Sequence, residues 1–240
     1  MLLKGDDNEF IKNIENNYID LILIDPPYII SRSSNFKNHS KNTPDELIKK
    51  YGNLSIDFGD WDKTEINWDF MFKEYYRILK KGGTLIMFYD IWKSSNIKFY
   101  ADKYKFKQHR ICQWQKSNPV PINSNINYLS NSIEYFFSFT KGKKPTFNSS
   151  YDNGVYVYPL CHGKERYNHP TQKPLSLISD IVKKHSNEGD IVLDSFAGVF
   201  TTHVACDNLN RKCISIERDE KFYEIGVERV NENRNKKLTI

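Results

Sequence analysis

Residues 19–24, IDLILI, are apolar at all but one position, which is the character of a strand covered on both faces, as in a parallel sheet. A second such run, TLIMFY at 84–89, follows an amphipathic stretch from Asp69 to Lys81 in which Phe70, Met71, Tyr75, Ile78 and Leu79 recur at helical spacing. Gly82-Gly83 is expected to end that helix. A further helix is expected over about residues 92–104. Two β-rich runs follow, HRICQW and SIEYFFSF, separated by a polar loop containing proline, which suggests an antiparallel pair at a sheet edge. Residues 141–168 show no sustained period and read as an irregular insertion. Regularity returns with a helix at about 174–186, a strand from Asp190, a helix at about 201–209, the strand KCISIE ending at Glu217, and a last helix from about Asp219. Strands alternating with helices in this way predict an α/β fold, a doubly wound, mostly parallel sheet with an antiparallel hairpin at its edge.

The length of 240 residues suits one well-cored domain, 1–240, better than two. Lys+Arg 35 against Asp+Glu 30 gives a net charge of +5, which permits a nucleic-acid partner without requiring one. Cys112, Cys161, Cys206 and Cys213 lie far apart with no C-x-x-C, so they read as reduced thiols. Cys161-His162 has no second ligand pair at zinc spacing, and no metal is expected. No apolar stretch approaches the roughly 20 residues of a membrane span, and the acidic start (Asp6, Asp7, Glu9) is unlike a signal peptide. A cytoplasmic protein is the expectation.

Ligands of open α/β sheets collect beyond the carboxyl ends of the strands, near the point where strand order reverses. Three acids stand at such ends: Asp25, Asp194 and Glu217. SFAGVFTT after Asp194 is a strand-to-helix turn whose Gly198 would admit a ligand close to the backbone. Glu217 follows at roughly the 20-residue interval at which such folds place an acid for a ribose hydroxyl, so the pair points to a nucleoside-bearing cofactor. In Asp25-Pro26-Pro27-Tyr28, two prolines fix φ and supply no N–H, which leaves a stiff acceptor-rich segment. A carboxylate and the Pro26 carbonyl would suit an amino group with two N–H donors, and Tyr28 offers a flat face for a planar base. An Asp-Pro turn beside a core tyrosine is the plainer alternative.

With these residues in place, the chain resembles the amino-group DNA methyltransferases that use S-adenosylmethionine, in the permuted order with the catalytic motif ahead of the cofactor motif. D-P-P-Y at 25–28 resembles their catalytic motif, and NHPTQKP at 168–174 the segment before the cofactor turn. DSFAGVFTT at 194–202 is similar to D-P-F-A-G-S-G-T-T, ISIERDEKFYEIGVERV to the strand and helix that follow, and Gly5-Asp6 to a familiar opening. The resemblance implies a Rossmann-like methyltransferase fold. It implies that Asp25 and the Pro26 carbonyl bind the target amino group, with Pro27 stiffening the motif and Tyr28 stacking on the flipped base. Asp194, Phe196, Gly198 and Thr201 would line the cofactor, and Glu217 would take the ribose hydroxyls. Asp6 would lie near the adenine, and Gln172 and Lys173 near the methionine carboxylate. Thr171 and His169 belong to the same segment, where a histidine before proline also fits a structural place. The implied activity is methylation of adenine N6 in double-stranded DNA as part of restriction-modification, with cytosine N4 as the alternative target.

Three positions depart from the pattern: Ser195 stands where it has proline, and Val199-Phe200 where it has Ser-Gly. A phenylalanine at the second glycine either points into the core and is tolerated, which we favour, or impairs the turn, which would make the chain a non-catalytic DNA-binding or regulatory relative. Residues 29–68, with Arg32, Lys37, His39 and Lys41, are expected to be a mobile DNA-facing loop. The 141–168 insertion, with Lys141, Lys143, Lys144, Lys164 and Arg166, is expected to serve target recognition through phosphate contacts. An insertion this short implies a short or relaxed recognition sequence, or help from a homodimer or a specificity partner.

Overall fold

The computed structural model describes residues 1–27, 66–119, 131–167 and 169–238. The chain divides into two units, Met1–Pro26 with Asn67–Ile240, and Pro27–Ile66. The first unit is the α/β body. Its strands are β1 (Leu2–Lys4), β2 (Ile19–Ile24), β3 (Leu79–Phe88), β4 (Lys107–Lys116), β5 (Ile133–Thr140), β6 (Val155–Tyr158), β7 (Ile191–Asp194) and β8 (Lys212–Glu217). Its helices are α1 (Asp7–Lys12), α2 (Trp68–Ile78), α3 (Ser94–Lys103), α4 (Leu175–His185), α5 (Thr201–Asn208) and α6 (Glu220–Leu238).

The strands form one sheet in the order β1-β8-β7-β2-β3-β5-β4-β6. All neighbours are parallel except β5, which runs against both β3 and β4. From β2 through α2 to β3 the chain moves one way along the sheet, and from β7 through α5 to β8 it moves the other. Because such crossovers are right-handed, the two helices fall on opposite faces. Strand order therefore reverses between β7 and β2, and the doubly wound expectation holds. The antiparallel pair β4–β5 lies toward one end of the sheet, with β6, a four-residue strand drawn from the segment read as irregular, outside it.

The buried core explains the apolar runs. Ile19, Leu21–Ile24 and Leu85–Phe88 are at most 1% exposed, and each such side chain contributes about 1.5–3 kcal/mol by leaving water. Asn67 starts α2 by accepting the Phe70 amide at 3.0 Å. The expected end of this helix needs correction: Gly82-Gly83 lie inside β3, and the helix stops at Ile78 because Leu79 is already extended (φ −64, ψ 136). Gly83 instead permits close pairing, since a Cβ there would lie 2.8 Å from the Asp20 carbonyl oxygen. The orphan carbonyls of α2 are met by Lys141, whose Nζ donates to Tyr76 O and Leu79 O, each at 2.7 Å. Among the described residues no helix is long and apolar enough to cross a membrane.

Candidate active site

Asp25 and Asp194 leave the sheet side by side at the switch point, on strands paired through Leu21–Val192 and Ile22–Leu193. Adjacent strands lie about 4.8 Å apart, so the two turns share one crevice. Pro26 is buried and Asp25 half-buried. Tyr28, Arg32, Lys37, His39 and Lys41 lie outside the described residues, as does the loop to which they belong up to residue 65.

The Asp25 carboxylate meets a buried cation. Lys173 Nζ lies 2.5 Å from Asp25 Oδ2 and 3.4 Å from Glu134 Oε2, and Glu134 Oε1 lies 2.9 Å from Lys116 Nζ. The Lys173 ammonium also sits 5.1 Å from the centre of the Phe88 ring. Burial disfavours this ammonium, but Asp25 and then Glu134 outweigh it and hold its pKa above the ordinary lysine value. Burial likewise works against the Glu134 carboxylate, and Lys173 and Lys116 together bring it below the usual range.

The turn after β7 is built from backbone and buried polar groups. Asp194 Oδ1 accepts the Phe196 amide at 3.1 Å, and burial pushes the Asp194 carboxyl up to about 8. The Gly198 amide donates to Glu217 Oε2 at 2.7 Å, and Asp219 N donates to Oε1 at 2.7 Å. Burial raises the Glu217 pKa despite these bonds. Gly198 has φ +50, and a Cβ on it would lie 3.2 Å from His169 Nε2. A glycine thus satisfies both backbone and space here. A carboxylate offers about four lone-pair directions, so Glu217 keeps acceptor capacity for hydroxyls while bound to two amides. The turn therefore fits a nucleoside.

Ser195 and Phe200, two of the departures in this turn, have structural reasons. Ser195 Oγ is hydrogen-bonded to Tyr75 Oη at 2.6 Å in a buried position that proline could not serve. Phe200 adopts the left-handed conformation (φ 60, ψ 38) that a glycine would take freely. Its ring is fully buried and packs in the core with Val204, Val230 and Tyr223. The space comes from Gly226 of α6, where an added Cβ would lie 2.7 Å from Phe200 Cδ2. Arg229, one turn further along α6, donates to Val199 O at 3.0 Å and Thr201 Oγ1 at 2.8 Å. Thr201 is thus bonded to Arg229, and α6 braces the whole turn.

Other expected residues fall in varied places. Gly5 N donates to Glu217 O at 3.0 Å, which sets Asp6 beside the end of β8, where it caps α1 by accepting Asn8 N at 2.8 Å. Gln172 is spent on its own loop, accepting Tyr167 N at 2.9 Å and donating to Glu165 O at 2.8 Å. Its amide and the Lys173 ammonium are both engaged with protein groups. Thr171 is exposed in the turn before them, and burial lowers the His169 pKa to about 4. Lys164 and Arg166 are exposed on the same segment.

Lys141, Lys143 and Lys144 need regrouping. Lys141 N pairs with Gly83 O at the start of β3, and a Cβ on Gly82 would lie 2.8 Å from Lys144 O. These three lysines therefore belong to the end of the sheet opposite Asp25, and Lys141 serves α2 instead of an open surface. Sequence reasoning missed Glu134, Lys116, Arg229, Gly226 and Asp7. A lone acid in an apolar strand and a glycine amid a helix were the available signals for Glu134 and Gly226. Asp7 reads as an ordinary first-turn acid, yet burial, aided by Asp6, raises it to about 7. Among the described residues no group of three His, Cys, Asp or Glu is placed to hold a metal ion.

Comparison with known proteins agrees with this geometry. The type II methyltransferase M.HinfI of Haemophilus influenzae is 31% identical over 96% of this chain and 68% of its own length. The type II methyltransferase M2.MboI of Moraxella bovis is 30% identical over 96% of this chain and 87% of its own. The crystal structure of the M1.HpyAVI–SAM complex superposes with a TM-score of 0.71 at 25% identity, covering 96% of this chain and 98% of that one. The family model for DNA methylase matches residues 19–228, from the strand that carries Asp25 to the helix that braces the cofactor turn. The chain belongs to the DNA methylase family.

Proposed function

We propose that this protein transfers the methyl group of S-adenosylmethionine to N6 of an adenine flipped out of double-stranded DNA. The observation that carries this reading is the adjacency of two turns: Asp25-Pro26 and the Gly198 turn emerge from neighbouring parallel strands at the switch point. The cofactor supplies an electrophilic methyl group on sulfonium sulfur. Everything else is positioning and electrostatics from this chain. Glu217, fixed by the Gly198 and Asp219 amides, receives the ribose hydroxyls. Asp25 and the Pro26 carbonyl accept the two N–H bonds of the adenine amino group. That pairing turns the nitrogen lone pair out of conjugation and toward the methyl carbon. As the N–C bond forms, the carbon–sulfur bond breaks, and the Asp25 oxygen that holds an N–H is placed to receive the departing proton.

The target atom is unreachable inside a duplex, which is why the base must leave the stack, at a cost of a few kcal/mol. Tyr28, next after the two prolines, is the residue assigned to stack on it. Lys164 and Arg166, exposed on the segment that leads to Lys173, are suited to phosphate contacts. Restriction-modification is the setting in keeping with the type II relatives, and the short 141–168 segment favours a second copy or a specificity partner in target recognition.

The test is mass spectrometry of nucleosides from duplex DNA incubated with labelled cofactor and either the wild-type protein or Asp25→Ala. Labelled N6-methyladenine that disappears in the variant is the expected result. Methylcytosine in its place would refute the adenine assignment, and methyladenine that survives in Asp25→Ala would refute the role of Asp25.

A further inference from the structure

The charges around Asp25 form an alternating row, Asp25, Lys173, Glu134, Lys116, with contacts of 2.5, 3.4 and 2.9 Å. Its members come from separate parts of the fold. Asp25 follows β2, Lys173 precedes α4, Glu134 lies on β5 opposite Trp114, and Lys116 ends β4. The pivot is Lys173, 6% exposed. The backbone around it is fixed on both sides: the Gln172 amide is bolted to Glu165 O and Tyr167 N, and Leu175 N donates to Glu165 Oε1 at 2.6 Å. Its ammonium, backed by the Phe88 ring, is thereby aimed at the Asp25 carboxylate. Moving this ammonium to a cofactor carboxylate would strip a buried cation from two carboxylates, which low-dielectric surroundings penalise heavily.

We propose that Lys173 is a positioning residue for methyl transfer. It fixes the Asp25 carboxylate through Oδ2 in the orientation that meets the target amino group, and Glu134 with Lys116 holds Lys173 in turn. Acceptor geometry at the amino nitrogen governs how well its lone pair is aligned, so the arrangement acts on the chemical step and leaves cofactor affinity alone. This inference rests on the methyl-transfer reading above.

The test uses the full chain as wild type, Lys173→Met, Lys173→Arg and Glu134→Gln. Two quantities are measured: the single-turnover rate on duplex DNA at saturating S-adenosylmethionine, and the cofactor Kd by calorimetry. Lys173→Met should slow the rate about 100-fold with the Kd within about twofold of wild type. Lys173→Arg should regain at least about tenfold of that loss, because a guanidinium still reaches both carboxylates. Glu134→Gln should slow the rate about tenfold, again at unchanged Kd. A Kd raised about tenfold or more in Lys173→Met, or a rate within about threefold of wild type, overturns the assignment. Should Lys173→Met fail to fold, the other two variants decide: a wild-type rate in Glu134→Gln overturns it. A wild-type protein that transfers no methyl group refutes the methyl-transfer reading itself, whereas transfer by wild type that the variants leave intact refutes the positioning role alone.

Discussion

Phe200 and Gly226 form a matched pair whose energetics can be worked from the structure. An alanine at 226 would place its Cβ 2.7 and 2.8 Å from Cδ2 and Cγ of a ring that is fully buried. Overpacking of this kind costs about 1–3 kcal/mol, and replacing a helical glycine returns about 0.8–1 kcal/mol. Gly226→Ala should therefore destabilise the protein by up to about 2 kcal/mol. Phe200→Gly loses a buried aromatic ring, about 3–5 kcal/mol, and regains about 1–2 kcal/mol by relieving the left-handed backbone. A net loss of about 1–4 kcal/mol is expected. In the double variant the clash is gone while the helix gain remains, so the two changes should be non-additive by about 1–3 kcal/mol, the overpacking cost itself. Urea unfolding of the four proteins measures this directly. Additivity within about 0.5 kcal/mol would refute the packing argument. Because the ring points into the core, Phe200→Gly should also leave S-adenosylmethionine affinity no tighter than wild type. A tenfold gain in calorimetry would show instead that the ring obstructs the cofactor turn.

Asp194 predicts a pH dependence of stability. Its carboxyl stands at about 8 in the folded protein against an ordinary 3.8, so the folded state holds a proton that the unfolded chain releases. The resulting stabilisation is fully present below about pH 4 and is lost as pH rises toward about 8. Asp194→Asn should therefore gain on wild type between about pH 5 and about pH 8 in urea midpoints, and parallel curves for the two proteins would contradict the burial argument. Lys141 predicts a separation of stability from binding. Lys141→Met should cost about 1–2 kcal/mol, reduced for partial exposure, because charge-assisted bonds to Tyr76 O and Leu79 O are lost. The salt dependence of DNA binding should not change. Lys164→Ala should do the opposite, lowering the slope of log affinity against log salt by about one while leaving stability alone.

The parts of the fold that were legible in the sequence are those written in local pattern. The near-continuous apolar runs of β2 and β3 gave the parallel core, and the acids at the ends of β2, β7 and β8 marked the crevice. Gly82-Gly83 misled because two glycines signal a helix end by propensity, while their actual service is close strand pairing, a tertiary demand that propensity does not encode. β6 escaped notice because Val155–Tyr158 is short and belongs to a segment with no period of its own; its identity as a strand comes from β4 beside it. The site divides in the same way. Asp25, Gly198 and Glu217 were readable from their strand-end positions. The partner of Lys173 was not, since Asp25 stands 148 residues away and only the assembled sheet brings the two charges together. Phe200 was readable as a departure, but its accommodation depended on a glycine in another helix.

The sheet order also constrains when the protein can first act. Asp25, just after β2, is made well before the neighbour that completes the crevice, β7, which spans residues 191–194, and before the helix that braces the turn, which runs to Leu238. At about 5–20 residues per second of synthesis, Asp25 exists for roughly ten seconds or more before Asp194. A nascent or truncated chain ending short of α6 carries the acceptor residues without a braced donor turn.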